Sequence, residues 1–452
     1  MKKRSEYNSI FNIALPIIIQ GLVLQIQILI DKAFLGHLNS EYFSAVGNVL
    51  FPYFLTIESV HAIATGTTIL VAQNIGAKKE FLSKTYSEVS FAYNTLLSLI
   101  LFLIWFIFPE NIFKLMGVKS PILEYSVRYV RFLSFSLVFL GADSTAGAIL
   151  QGIGFTRPIM YVGFIKNLLN VLLDWILIFG KLGFPAMNLE GAALATSISE
   201  VTGGIILILM VLFSKKRTFK ISVKNIIMAK FKHYADVIKI GLPTGLESFT
   251  WHIGNLVLIS FLNTLDKMAT GIYTLIFHIE IVPYMIYLGI AKAAITLVGQ
   301  KTGARDHGGA IDVGSMCLKY SIFICIACAL VFIFFPKFIL GIFTYDKALI
   351  NRAFPFLIII SITMFPRDIN VVIGHGIRGF GDTKWMFISQ VFGTIYVVGL
   401  AAIFIFGLRS GIFGLYLAFF IDELTRSIIN LIRFYKGREF FLRLVAWKSL
   451  SN

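Results

Sequence analysis

Along these 452 residues, stretches of about 20 apolar residues recur twelve times, separated by Gly, Pro and charged breaks. That is the length a helix needs to cross a hydrocarbon core of roughly 30 Å at about 1.5 Å per residue. The runs are continuous rather than alternating, so they predict spanning helices and not barrel strands. With 57% hydrophobic and 14% charged residues, the chain has far more apolar surface than a water-soluble core absorbs. The breaks predict helices over residues 11–35, 43–73, 88–108, 127–149, 159–180 and 191–213, then over 236–262, 270–300, 316–335, 353–377, 387–407 and 411–435. The basic opening MKKRSEYNSIF runs into the first of these without a small-residue cleavage site, and reads as the start of a helix rather than a signal peptide.

The net charge of +16 would raise nucleic acid in a soluble protein, but here Lys and Arg gather in alternate connections, where they face anionic lipid. No basic patch with interleaved aromatics stands apart from the helices, so nucleic-acid binding is excluded as a reading. The positive-inside rule places both termini in the cytoplasm of a multi-pass protein of the plasma (inner) membrane, together with the basic connection from Ser214 to Ala235. The expected organisation is a six-helix lobe over 1–213, a linker over 214–235, a second six-helix lobe over 236–435 and a basic tail over 436–452. Cys317, Cys325 and Cys328 share one apolar stretch and read as packing residues.

An internal repeat supports that division. An offset of 227 residues (243 − 16) pairs Leu15-Pro16 with Leu242-Pro243, Gln73 with Gln300, Gly76-Ala77 with Gly303-Ala304 and Pro109 with Pro336. It also pairs Gly152, Gly154 and Thr156 with Gly379, Gly381 and Thr383. Apolar composition alone does not generate matched Pro, Gln, Gly and Thr. An even number of helices per unit gives both halves the same orientation, so the pseudo-two-fold axis should run along the membrane normal. Pro16 and Pro243, each in the first helix of its half, are candidate gating kinks, since proline removes an i→i−4 hydrogen bond; a static kink is the plain alternative.

Ionisable residues at bilayer depth cost about 2.5 to 3.5 kcal/mol on insertion scales, so each calls for a reason. Asn170 and Asp174 are four apart on one helix face, and Thr196 and Glu200 stack likewise on the next helix. Two carboxylates converging with Asn and Thr oxygens would suit a sodium ion, and equally a proton, since both acids cannot ionise cheaply together. Asp31, beside Lys32, also admits an interfacial ion pair. The repeat offers an internal control: Asp31 pairs with Leu258, and Asp174 falls opposite the apolar stretch Val397 to Ala401, so the acids belong to the first half alone. Glu200 is a candidate supporting group. In the second half Glu247, Glu280 and Asp368 are candidates for cation or substrate contact, against structural pairing with Arg367, His252 or His278.

The ordered set ALPIIIQGLVLQIQILIDKAFLGHL, VAQNIGAKK, ILQGIGFTRP, NLLNVLLDWILIFG and GAALAT, repeated as GLPTGLES, LVGQKTGAR and IRGFGDTK, resembles the multidrug and toxic compound extrusion transporters over nearly the whole chain. The resemblance implies a V-shaped pair of six-helix lobes that exports cationic or amphipathic compounds in exchange for H+ or Na+, with no other cofactor. Asp31, Asn170, Asp174 and Thr196 match the family's first-lobe cation-site pattern, where Na+ would be held if sodium couples. The implied partners are small organic cations, amphipathic drugs and membrane lipids, and the expected state is a monomer. Flippases of lipid-linked oligosaccharides in the same superfamily supply the alternative reading. No GxxxxGK[ST] loop and no HExxH motif occurs, so neither an ATP-driven pump nor an enzyme is expected.

Overall fold

A computed structural model describes residues 2–36, 40–214 and 221–450, with side chains over 8–35, 41–214, 221–266 and 268–436. Residues 215–220 of the expected linker, and the side chains of the expected tail beyond 436, lie outside the described residues. Twelve long helical elements are present among the described residues: α1 (Lys2–Gly36), α2 (Ser40–Gly76), α3 (Glu80–Ile107), α4 (Ile122–Ser134 and Leu137–Ile153), α5 (Arg157–Phe179), α6 (Asn188–Leu212), α7 (Phe231–Asn263), α8 (Lys267–Gly303), α9 (His307–Phe334), α10 (Lys347–Gly379), α11 (Thr383–Ala402, continued by a wider turn to Gly407) and α12 (Gly411–Leu450). Nine are long and apolar enough to cross a membrane, and the two segments of α4, bent by 46°, make a tenth. α7 and α12 are equally long, but Glu247, His252 and Asn255 in one, and Asp422, Glu423 and Arg426 in the other, dilute their hydropathy.

The duplication is written into the backbone more closely than into the side chains. α2 and α8 are related at both ends by the 227-residue offset, as are α3 and α9. Lys78 and Arg305, equivalent residues, both adopt φ of 58°, a left-handed conformation that closes the tight link after each second helix. Gly154 and Gly381 (φ 86° and 93°) repeat the correspondence after α4 and α10, and Leu182 and Arg409 (φ 54° and 53°) extend it past α5 and α11. At Gly180 a Cβ would stand 2.6 Å from the Ala186 backbone nitrogen, so the turn needs glycine for space as well as for its φ of 65°.

By packing, the chain forms two compact units. One unit comprises the chain up to Ile18 together with everything from Leu246; the other comprises Ile19–Gly245. Both divisions fall two residues after a proline, Pro16 or Pro243, each inside a helix assigned without interruption. In the first unit the buried face of α1, Ile10, Ile13, Ala14 and Ile17, packs into a core with Tyr287, Ile290, Ala291 and Ala294 of α8. In the second, Gly241 of α7 lies against the backbone of Ala62 and Ile63, where a Cβ would come within 2.7 Å of Ile63 Cα. Tertiary packing thus assigns the opening stretch of each first helix to the unit built mainly from the other half of the sequence.

Candidate functional site

Within the unit Ile19–Gly245, helices α1, α5 and α6 bring the first-half polar residues together. Asn170 and Asp174 are buried, at 1% and 2% exposure. The Asp31 carboxyl lies within hydrogen-bonding reach of the Asp174 carboxyl. Gln27 Nε2 donates to Asp31 Oδ2 at 3.0 Å and also to Asn170 Oδ1. Asn170 Nδ2 in turn points to Thr196 Oγ1 at 3.4 Å, and that hydroxyl donates to the Ala192 carbonyl at 3.0 Å. Asp31 therefore faces inward to Gln27 and Asp174, whereas its sequence neighbour Lys32 is exposed. The buried phenol of Tyr129 on α4 stands close to both acids.

Gln27 is the member that sequence reasoning missed. Its position four residues before Asp31, on the same helix face, was the available signal. Glu200 is the member that the structure places elsewhere. Although stacked on Thr196 along α6, its carboxylate pairs with Lys166 Nζ at 2.5 Å, and Lys166 also faces Asp143 Oδ2 at 3.6 Å.

The second-half candidates are held differently. Glu280 pairs with Arg367, whose Nε donates to Glu423 Oε1 at 3.0 Å. Asn370 Nδ2 donates to Glu423 Oε2 at 2.8 Å, and Arg426 Nη2 grips Asp422 Oδ2 at 2.7 Å. Glu247 pairs at 2.5 Å with Arg378, a partner not among those expected from the sequence. Asp368 departs from the expected pairing with Arg367: it is fully buried and neither carboxyl oxygen accepts a hydrogen bond. The nearby Ser321 hydroxyl donates instead to the Leu318 carbonyl at 3.0 Å. Of the three second-half candidates, Glu247 and Glu280 are thus each paired with an arginine, and Asp368 is not.

Chemically, the first-half cluster offers two facing carboxyl groups, the Thr196 hydroxyl and the Asn170 amide oxygen, with the Gln27 N–H directed at Asp31 and at Asn170. Two carboxyls in contact hold a proton between them at far lower cost than two negative charges. A sodium ion would find its oxygen ligands in the two carboxyls, the Thr196 hydroxyl and the Asn170 amide oxygen, since hard cations take oxygen ligands.

Comparison with known proteins gives a consistent result. The family model described as MatE matches residues 16–176 and again 243–405. A Bacillus subtilis protein named an uncharacterized transporter, YisQ, is 26% identical over 430 residues, covering 93% of this chain and 92% of its own length. A Thermotoga maritima protein named a probable multidrug resistance protein, NorM, is 26% identical over 433 residues, covering 95% and 92%. A structure described as the outward-facing conformation of a multidrug resistance MATE family transporter of the MOP superfamily superposes with a TM-score of 0.86 over 98% of this chain and 96% of that one, at 23% identity, and so supports the fold.

Proposed function

The chain belongs to the MatE family, whose model covers both of its halves, and from that premise we propose that it is a secondary active exporter exchanging cationic or amphipathic organic compounds for a coupling cation by alternating access. Relatives named a probable multidrug resistance protein and a multidrug export protein support efflux of many compounds rather than flipping of a lipid-linked sugar. The coupling cation binds at Asp31 and Asp174, steadied by Gln27, Asn170 and Thr196. The observation carrying this reading is the pair of facing carboxyls inside an apolar helix unit, where an ionisable group persists for a reason. The Gln27 N–H directed at Asp31 favours H+ over Na+. Both termini and the 214–235 connection face the cytoplasm, so α5 begins and α6 ends on the cytoplasmic side.

The test is ethidium transport by the purified protein in vesicles, with proton and sodium gradients imposed separately. Uptake driven by the pH gradient in sodium-free buffer is expected. Uptake driven only by sodium at fixed pH would reverse the choice of ion, and uptake driven by neither would remove the proposal.

A further inference from the structure

α5 carries three polar residues at four-residue spacing, Lys166, Asn170 and Asp174, so all three share one face. α6 answers with Thr196 and Glu200. The seam between the two helices is therefore layered: Asn170 meets Thr196 at 3.4 Å, and one turn further along Lys166 meets Glu200 at 2.5 Å. α4 closes that second layer with Asp143, 3.6 Å from the Lys166 ammonium. Lys166 stands eight residues before Asp174, about 12 Å at 1.5 Å per residue, toward the end of the seam that the proposed topology turns to the cytoplasm.

The charge count of this layer does not close. Two carboxylates share one ammonium, so the ionised layer carries one negative charge in excess. One added proton makes it neutral, which at bilayer depth is the cheaper state. In the second half three acids share two guanidinia, so the excess charge is the same, but the grip differs: Arg367 holds Glu280 and Glu423 and Arg426 holds Asp422, each through a fixed fork of donors. Asp143 has only the longer contact to Lys166, and Glu200 is the most open of the three, with 37% of its side chain exposed against 17% for the others. Among the described residues the phenol of Tyr53 on α2 also feels the charge of Glu200. That phenol donates to the Leu133 carbonyl at 2.8 Å and contacts the Ser136 hydroxyl at 2.7 Å.

We propose that Asp143, Lys166 and Glu200 form an inner proton-release station, which takes the proton from the Asp31–Asp174 pair and passes it to cytoplasmic water. The O–H bond at the aspartate pair breaks as a water in the seam takes that proton, and a hydronium so formed gives a proton to the Glu200 carboxylate, since about 12 Å is too far for direct transfer. The second transfer returns Glu200 to a carboxylate and delivers the proton to water. Lys166 is a positioning residue: it holds Glu200 on the seam, keeps the station neutral when loaded, and repels a metal cation. The inference rests on the proton-coupled reading above, and the experiment separates the two.

Purified full-length protein in vesicles is assayed for ethidium transport driven by a pH gradient and for gradient-free exchange of ethidium against ethidium. For Glu200→Gln the driven rate should fall about tenfold or more, and its dependence on cytoplasmic-side pH should flatten, while exchange and ethidium binding stay near wild type. Lys166→Arg should retain the driven rate. If Glu200→Gln does not accumulate as folded protein, Asp143→Asn carries the same test. A wild-type driven rate and pH profile in the variants overturns the station, and so does an equal loss of driven transport and exchange, which marks a structural role. If wild-type protein ignores the pH gradient, the coupling reading fails first, before any variant is compared.

Discussion

Lys166 in one unit and Arg426 in the other occupy reciprocal places. Gly191 of α6 packs on the Leu177 backbone as Gly414 of α12 packs on Phe404, which aligns α5 with α11 at an offset of 227 (404 − 177) and α6 with α12 at 223 (414 − 191). In that register Glu200 corresponds to Glu423, Gly203 to Arg426, and Lys166 to Gly393. A Cβ on Gly203 would stand 2.0 Å from Lys166 Cγ, and a Cβ on Gly393 would stand 2.4 Å from Arg426 Cδ. Each half thus keeps a glutamate, half-buried in the first and buried in the second, and a glycine slot for a long basic side chain, yet the cation and the glycine have changed helices. What duplication preserved is the packing geometry and the need for a counter-charge, not the residue that supplies it. The choice of cation then separates the halves: a guanidinium satisfies several oxygens at once, while a lone ammonium leaves one acid under-partnered.

The largest break in this comparison is expected at the acids that have no counterpart. Asp174→Asn should reduce gradient-driven ethidium transport to background, while size-exclusion behaviour and helical content remain those of wild type; transport at the wild-type rate would detach coupling from the first half. Next in size is Arg426→Met, which strands Asp422 and leaves Glu423 to Arg367 and Asn370. Removing one partner of a buried pair costs about 3 to 5 kcal/mol, so a lowered midpoint of thermal unfolding in detergent should accompany any loss of transport. An unchanged midpoint would show that the second-half network is not the tighter one.

A smaller effect is expected from Gly203→Ala. The atoms it meets are methylenes of a flexible lysine, so Lys166 should shift rather than the backbone, and driven transport should decline with little change in midpoint. The smallest effect concerns Asp266, the cap of α8, which is exposed and hydrogen-bonded by Arg352 at 3.0 Å and by the Ala269 amide at 2.7 Å. The Arg352 hydrogen bond, aided by that amide, holds its carboxyl below the usual value of 3.8. A lowered folded-state value contributes stability above the unfolded value and loses it as pH falls through the folded one. Asp266→Asn should therefore leave the unfolding midpoint at pH 7 nearly unchanged and, within that small difference, bring variant and wild type together only as the pH falls well below 3.8.

Much of this architecture was legible in the residues alone, because the bilayer imposes a length and an apolarity that any spanning helix must meet, and because turn residues such as Gly154 and Gly381 answer to backbone geometry that side-chain drift does not relax. Asp31, Asn170, Asp174 and Thr196 were legible as a group since helical spacing puts them on facing stripes. Partner choice was not. Glu200 sits one turn from Thr196 by periodicity, but only the approach of α4 and α5 shows that it answers to Lys166 and Asp143. Gln27, the pairing of Glu247 with Arg378 and the isolation of Asp368 depend likewise on side chains meeting across distant parts of the chain. Nor does any local signal show that the stretch before Pro16 packs with α8, while the stretch before Pro243 packs with α2. Hydrophobic length and turn chemistry are properties of a segment, and the sequence by itself determined those; which charges neutralise one another is a property of contacts at 2.5 to 3.6 Å, and only the tertiary structure decided it.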